Sequence, residues 1–167
     1  MSVAFTREED IESAAADLPD RPISPHPNLV TPAGLAALDE ALAAARAAYG
    51  AAQASGEASA DRTPMARATR DLRYYAARRA SAQLVAPGPA DGVIRFGDTV
   101  PFEREDGRRQ TFAIVGEDEA DPAAGAVSYL SPLARALLGK HVGDVALVAG
   151  GEVEVVGVAA QAPLPSG

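Results

Sequence analysis

Residues 114–148 read IVGEDEADPAAGAVSYLSPLARALLGKHVGDVALV, and this stretch decides the fold of the C-terminal half. It begins and ends in short β-branched runs, which are typical of strands. Between these runs, Ser131 is a favourable helix cap, Pro132 suits the first helical position and Gly139 is a typical helix terminator. The stretch therefore predicts one short helix between strands.

The residues around this stretch continue the strand pattern. From Gly92 onward the runs VIRFG, TVPFERE, RQTFAIVG and EVEVVGVA are short, apolar and in part alternating, and Asp106-Gly107 between two of them is a hairpin turn signal. A small antiparallel sheet with one helix packed on it is predicted. Its core is expected to include Phe96, Phe112, Leu133, Leu137 and Leu138.

The preceding part of the chain predicts two helices. Thr31-Pro32 and Thr63-Pro64 are both helix start signals, and Gly56 lies where the first helix is expected to end. Apolar residues follow the first start signal at spacings of three and four, which is the pattern of a coiled-coil seam. Two such helices joined by a short turn predict an antiparallel hairpin, so the fold class is α+β.

Four arginines, Arg67, Arg70, Arg73 and Arg78, give the second helix a basic face. Such a face contacts nucleic acid or an acidic protein surface, forms a solvated surface, or pairs with acids of the same chain. The third alternative has a candidate partner, because residues 7–20 are rich in Asp and Glu. Residues 1–29 as a whole are predicted to be an acidic, proline-rich extension.

Composition excludes several classes of function. The net charge of −8 argues against a protein that coats free duplex DNA, and the absence of Cys excludes disulfides, thiolate metal sites and a cysteine nucleophile. His26 and His141 have no ligand-spaced partner, and no phosphate-binding loop or catalytic set is present. No signal peptide or membrane span is predicted. A cytoplasmic protein without enzymatic activity of its own is expected.

An ordered string of motifs carries a family resemblance. A strand ends at Ile114-Val115-Gly116, the acidic loop EDEAD follows, and the run SPLARAL with Gly139-Lys140 leads to a turn at Gly143-Asp144. With FGDTV upstream and GGEVEVVGV downstream, this order resembles the C-terminal domain of the bacterial Gre transcription elongation factors. The resemblance implies a coiled-coil hairpin at 30–86 with its tip near 56–63, an FKBP-like domain at 92–160 and a tail at 161–167.

The resemblance also implies a partner. Gre factors bind RNA polymerase core, with the globular domain at the rim of the secondary channel and the hairpin inside the channel. A monomer is expected, with only indirect contact to DNA or RNA within the complex. The implied docking residues are Asp118, Glu119, Asp121, Ser131 and Pro132.

The hairpin tip departs from the family pattern. Cleavage-stimulating members carry two tip carboxylates that help to hold a second Mg²⁺ in the polymerase active centre, within a motif that is missing here. Aligned on the local echo DLRYYAAR, the acid positions fall on Arg67 and Arg70. Aligned by the helix ends, the tip falls on GEASADRT, Glu57 and Asp61 take the acid positions, and the arms are shorter by about 10 Å at ~1.5 Å per residue.

Three functions remain open at this point. The first is a Gre-like elongation regulator, which uses no cofactor beyond a Mg²⁺ shared with the polymerase. The second is a channel-occupying inhibitor that does not stimulate transcript cleavage. The third is an interaction protein for a metabolic enzyme, since a short-hairpin relative of the Gre factors is known as regulator of nucleoside diphosphate kinase.

Overall fold

The fold is α+β, as the sequence predicts, and the chain divides into two compact units. The computed structural model describes residues 18–56 and 61–161. Of the described residues, the first unit holds those from Leu18 to His26 and those between Ala36 and Ser81, and the second unit holds Pro27–Leu35 and those from Ala82 to Gln161. Residues 1–17 of the predicted acidic extension and residues 162–167 of the predicted tail lie outside the described residues.

Two helices form the first unit. α1 spans Pro32–Gly56 and α2 spans Thr63–Ser81, so both begin at the predicted threonine-proline signals. An ion pair joins Asp39, near the beginning of α1, to Arg79, near the end of α2, which requires the helices to run antiparallel. Members of the predicted seam are buried on α1, namely Leu38, Leu42 and Ala45.

Five strands form the sheet of the second unit. Their bounds are Thr99–Arg104 (β3), Arg109–Val115 (β4), Ala126–Ser128 (β5), Val145–Val148 (β6) and Gly151–Val155 (β7). They lie in the order β5-β4-β3-β7-β6. The prediction of a purely antiparallel sheet is wrong at one pair, because β4 and β5 run parallel. The connecting loop contains two 3-10 turns and returns the chain along β4 to Ala113, the partner of Ala126, where β5 starts.

The core of this unit lies between the sheet and a short helix, α3, at Pro132–Leu137. Phe102, Ile114, Leu137 and Val155 are all inaccessible to solvent, and burial of each such side chain stabilises the fold by about 1.5–3 kcal/mol. The other predicted core residues pack as half-buried side chains around this centre: Phe96, Phe112, Leu133 and Leu138.

A second, two-stranded sheet was not predicted. β1 (Leu29–Val30) pairs parallel with β2 (Gln83–Leu84), and the N–H of Val85 extends the ladder to the carbonyl of Val30 at 3.0 Å. Val30 is 2% exposed. The end of the proline-rich stretch is therefore structural, whereas its composition predicts only an extended linker.

The helices of the described residues are too short or too polar to span a membrane. Among residues 18–56 and 61–161, none of them combines the length and the apolar character that crossing a bilayer needs.

Candidate functional site

One end of the larger sheet collects most of the predicted docking residues. Val115, the last residue of β4, is the register partner of Ser128, the last residue of β5. Because the two strands are parallel, the segments that follow them emerge at the same end of the sheet. The first segment is the 3-10 turn Glu117–Glu119, and the second leads to Ser131 and α3.

Four of the five predicted docking residues lie on the surface or at a helix start. Asp118, Asp121 and Pro132 are exposed, and Ser131 caps α3 by accepting a hydrogen bond from the N–H of Ala134 at 3.2 Å. Asp121 bridges to Ala126 at the beginning of β5, so it lies away from the end that carries Ser131. The structure thus brings Asp118 and the α3 start to one end of the sheet and places Asp121 nearer the other.

Glu119, the fifth predicted docking residue, is engaged within the chain. Its carboxylate accepts hydrogen bonds from the N–H of Thr31 at 3.3 Å and from the hydroxyl of Thr31 at 2.5 Å, and the N–H of Gly116 lies 3.4 Å away. Thr31 in turn accepts from the N–H of Gly34 at 3.0 Å as the cap of α1. Glu119 therefore holds the start of α1, a task that differs from the predicted contact with a partner.

Two glycines make room for this arrangement. A Cβ on Gly34 would lie 2.2 Å from the carboxyl carbon of Glu119, and a Cβ on Gly116 would lie 2.2 Å from the carbonyl oxygen of Leu29. Real Cβ atoms do not approach other atoms so closely. Gly116 therefore requires glycine because its neighbour is a backbone atom, whereas a Cβ on Gly34 would displace the Glu119 carboxylate from its present position. The hydroxyl of Tyr129 adds a further tie by donating to the carbonyl of Pro27 at 2.6 Å.

The hairpin tip is described only in part. Glu57 lies outside the described residues, and Asp61 is exposed just before α2. The carboxylate of Asp61 accepts a hydrogen bond from the N–H of Thr63 at 3.0 Å, and this bond, with a second one from the Thr63 side chain, lowers the pKa of Asp61 below its ordinary value. The ionised carboxylate therefore favours the helix start above pH ~4, and this contribution is lost as the pH falls through the lowered pKa.

Within residues 18–56 and 61–161, no group of three or more His, Asp or Glu side chains is arranged to hold a metal ion. Asp61 is held by Thr63 through both its N–H and its side chain, so its carboxylate is engaged at the start of α2.

The predicted basic face of α2 is only partly a surface. Arg67 and Arg73 are exposed, and Arg70 is half-buried with its Nε 4.0 Å from a carboxylate oxygen of Asp71. The assignment of Arg78 to an exposed face is wrong, because Arg78 is only 2% exposed. The heptad pattern explains the difference, since Arg78 lies ten residues after the buried Ala68, which is one heptad plus the three-residue step between seam positions.

A contact that the sequence did not indicate lies on the same helix. The guanidinium of Arg21 lies 3.8 Å from the centre of the Tyr74 ring and 3.5 Å from the carboxylate of Asp71. The neighbouring Asp20 lies 3.2 Å from Arg73. The acid-rich extension and the arginine-rich helix were the only signals in the sequence, and they did not identify Arg21.

The C-terminal domain matches a known family model. Residues 89–159 match the family described as Transcription elongation factor, GreA/GreB, C-term. The matched range contains the sheet end, the 3-10 turn of Glu119 and the capped start of α3.

Curated relatives match the same part of the chain. The transcription elongation factor GreA of Ralstonia nicotianae is 51% identical over 80 residues, which are 45% of this chain and 51% of that protein. GreA of Desulfovibrio desulfuricans is 40% identical over 90 residues, which are 53% of this chain and 54% of that protein. The chain thus spans about half the length of the curated relatives it matches.

Solved structures give a weaker likeness over a longer range. GreA factor homolog 1 (Gfh1) of Thermus thermophilus is 25% identical, with 80% of this chain and 99% of that chain covered and a TM-score of 0.37. The GreA/GreB factor of Nitrosomonas europaea is 20% identical, with 80% and 98% covered and a TM-score of 0.38.

Proposed function

We propose, because residues 89–159 of this chain belong to the GreA/GreB family of transcription elongation factors, that the protein binds RNA polymerase. Its C-terminal domain docks at the rim of the secondary channel, and the α1–α2 hairpin enters the channel. The family match of the C-terminal domain is the observation that carries the proposal, and the hairpin in the same chain supports it. The protein acts in the cytoplasm as a monomeric regulator and has no catalytic activity of its own.

The docking surface in this proposal is acidic. Asp118 and Asp121 are exposed carboxylates on either side of Glu119, and Pro132 is exposed at the rigid, capped start of α3. Acidic side chains on a fixed loop suit a partner surface that carries Lys or Arg, and such charge complementarity raises the association rate and the specificity of binding. Glu119 takes part indirectly, because its bonds to Thr31 and Gly116 hold the loop in place.

The hairpin in this proposal occupies the channel and does not stimulate transcript cleavage. The exposed Arg67 and Arg73 face nucleic acid or acidic walls of the channel. At the tip, the carboxylate of Asp61 already accepts hydrogen bonds from the N–H and the side chain of Thr63, and these bonds compete with Mg²⁺ for its oxygens. The arms, shorter by about 10 Å than those of cleavage-stimulating members at ~1.5 Å per residue, place this carboxylate short of the active centre.

Polymerase binding is tested with paired carboxylate variants. Asp118→Ala/Asp121→Ala should weaken binding to RNA polymerase core roughly tenfold, because two charge contacts of ordinary strength are lost. The dissociation constant is measured on surface-immobilised polymerase at one fixed salt concentration. The matched control is Glu152→Ala/Glu154→Ala, which removes two exposed acids from β7 of the same domain and should leave the affinity unchanged.

Two results would contradict this proposal. Equal polymerase affinities of the two double variants would show that Asp118 and Asp121 do not form the docking surface. Failure of the parent protein to bind polymerase, together with retention of a nucleoside diphosphate kinase, would favour the metabolic-enzyme alternative.

The role of the tip is tested by transcript cleavage in backtracked complexes. The parent protein should not raise the cleavage rate of polymerase alone, and it should slow cleavage that a stimulating Gre factor produces, because both occupy one channel. Glu57→Ala/Asp61→Ala should behave as the parent does. If the parent protein stimulated cleavage and the double variant did not, the role of holding Mg²⁺ would belong to these two acids.

A further inference from the structure

A short segment ahead of the hairpin is fixed on α2. This segment, Leu18–Arg21, is called the N-terminal anchor here. Arg21 stacks on the ring of Tyr74 at 3.8 Å and pairs with Asp71, while Asp20 pairs with Arg73 at 3.2 Å. Two consecutive residues of opposite charge thus meet complementary groups on one helix, which fixes both the position and the direction of the segment.

The anchor forms part of the rim of an open groove between the arms of the hairpin. The groove has a volume of about 1300 Å³, and Leu18 and Asp20 belong to its lining. Small residues of α1 line one side, among them Ala48, Ala51 and Ala52. On the other side four arginines outnumber two acids, and these charged residues are Arg62, Arg67, Arg70, Arg73, Asp61 and Asp71. This surface, called the hairpin groove, combines an apolar floor with a positive wall.

One lining residue has an unused donor. The Nε of Arg70 is buried and makes no hydrogen bond to residues 18–56 or 61–161, and the carboxylate of Asp71 lies 4.0 Å from it. A buried guanidinium nitrogen without a hydrogen bond is costly, so the groove favours a ligand that brings a carboxylate.

The chain that precedes Leu18 has the complementary chemistry. Residues 7–17 read REEDIESAAAD, which combines acids with an isoleucine and three alanines. The described chain begins at the groove, since Leu18 is both its first residue and a lining residue. A segment that is acidic and rich in small apolar residues matches a groove with a positive wall and an alanine floor.

We infer that the hairpin groove is the docking site of the chain's own acidic N-terminal segment, residues 1–17, which the anchor delivers to it. The segment neutralises the arginines of α2 and competes with any other partner that needs them. The inference goes beyond the proposed function, because it gives the groove arginines a partner within the same chain when polymerase is absent. Its test is made without polymerase and is separate from those above.

The test uses the absence of cysteine from the chain. A single Ala52→Cys substitution places one thiol on the groove floor, and its reaction rate with a maleimide reports how far the groove is covered in the full-length protein. Adding Arg21→Ala should raise that rate about fivefold, because the stacking and ion-pair contacts of the anchor are lost. Glu8→Gln/Glu9→Gln/Glu12→Gln on the segment itself should raise it similarly, as should 1 M salt, because salt screens ionic contacts.

Two controls separate uncovering from loss of structure. Arg108→Ala removes an arginine from another exposed ion pair, with Asp106, and should leave the reaction rate of the groove thiol unchanged. An Ala47→Cys reporter, on the exposed side of α1 outside the groove lining, should react equally fast in every background. Equal rates for the groove thiol in the parent background, the Arg21→Ala background and high salt would overturn the inference. Protection that appears only when polymerase is added would assign the groove to that partner and overturn it too.

Discussion

Glu119→Ala should lower the free energy of unfolding by about 2–3 kcal/mol, because Thr31 then loses the acceptor for both its N–H and its hydroxyl. Thr31 is 6% exposed, so water does not replace the lost carboxylate fully. The N–H of Gly116 loses its contact with the same carboxylate. Denaturant unfolding followed by circular dichroism measures the effect, and the Thr31 amide in a nitrogen-edited NMR spectrum reports it locally.

The controls for this variant use one conservative change and one distant acid. Glu119→Gln keeps one acceptor oxygen but loses the charge, so its stability should lie between those of the parent and Glu119→Ala. Glu152→Ala removes an exposed acid from β7 and should stay within about 0.5 kcal/mol of the parent. Unchanged stability in Glu119→Ala would return Glu119 to the group of residues available for partner binding.

Gly116→Ala should cost about 3 kcal/mol of stability, because the new methyl group meets a backbone atom and cannot be accommodated by a side-chain rotation. The added Cβ would lie 2.2 Å from the carbonyl oxygen of Leu29, so β1 has to move away from the sheet end. Backbone strain is not the cause, since Gly116 has φ −72° and ψ 168°, which any residue adopts. Denaturant unfolding measures the loss, and hydrogen exchange at Val85 reports opening of β1 from β2.

A second glycine provides the matched control. Gly50 lies within α1, and a Cβ on it would meet no atom within 4 Å. Gly50→Ala should therefore stabilise the protein, by up to about 1 kcal/mol, because alanine is the better helix former. Replacing glycine with alanine should thus lower the free energy of unfolding at position 116 and raise it at position 50. Equal stability of Gly116→Ala and the parent would show that Leu29 does not approach Gly116 in solution.

Local signals predicted the elements well. The threonine-proline pairs at 31–32 and 63–64 mark the beginnings of α1 and α2, and Ser131-Pro132 marks that of α3. These predictions succeed because a helix start is decided by residues within one turn, where a cap accepts an N–H and proline has no N–H to satisfy. Asp106-Gly107 predicted the β3–β4 hairpin for the same local reason, and Gly107 has a φ of 83°.

The candidate site was predicted less completely. The resemblance identified the loop that contains Asp118, Glu119 and Asp121. The sequence alone does not distinguish a carboxylate that binds a partner from one that forms hydrogen bonds within the chain. Glu119 belongs to the second kind, and Thr31, its partner, is 88 residues away in sequence. Arg78 shows the same limit, because its charge predicts exposure while its place on α2 buries it.

The sequence by itself determined the α+β class, the helix starts, the two-helix hairpin and the family of the C-terminal domain, since each depends on neighbouring residues or on one ordered string. Only the tertiary structure decided that Glu119 binds Thr31, the cap of α1, that β1 pairs with β2 and that Arg21 stacks on Tyr74. These contacts join residues some 50 or more positions apart. No local periodicity marks such pairs, because folding selects them through the packing of the whole chain.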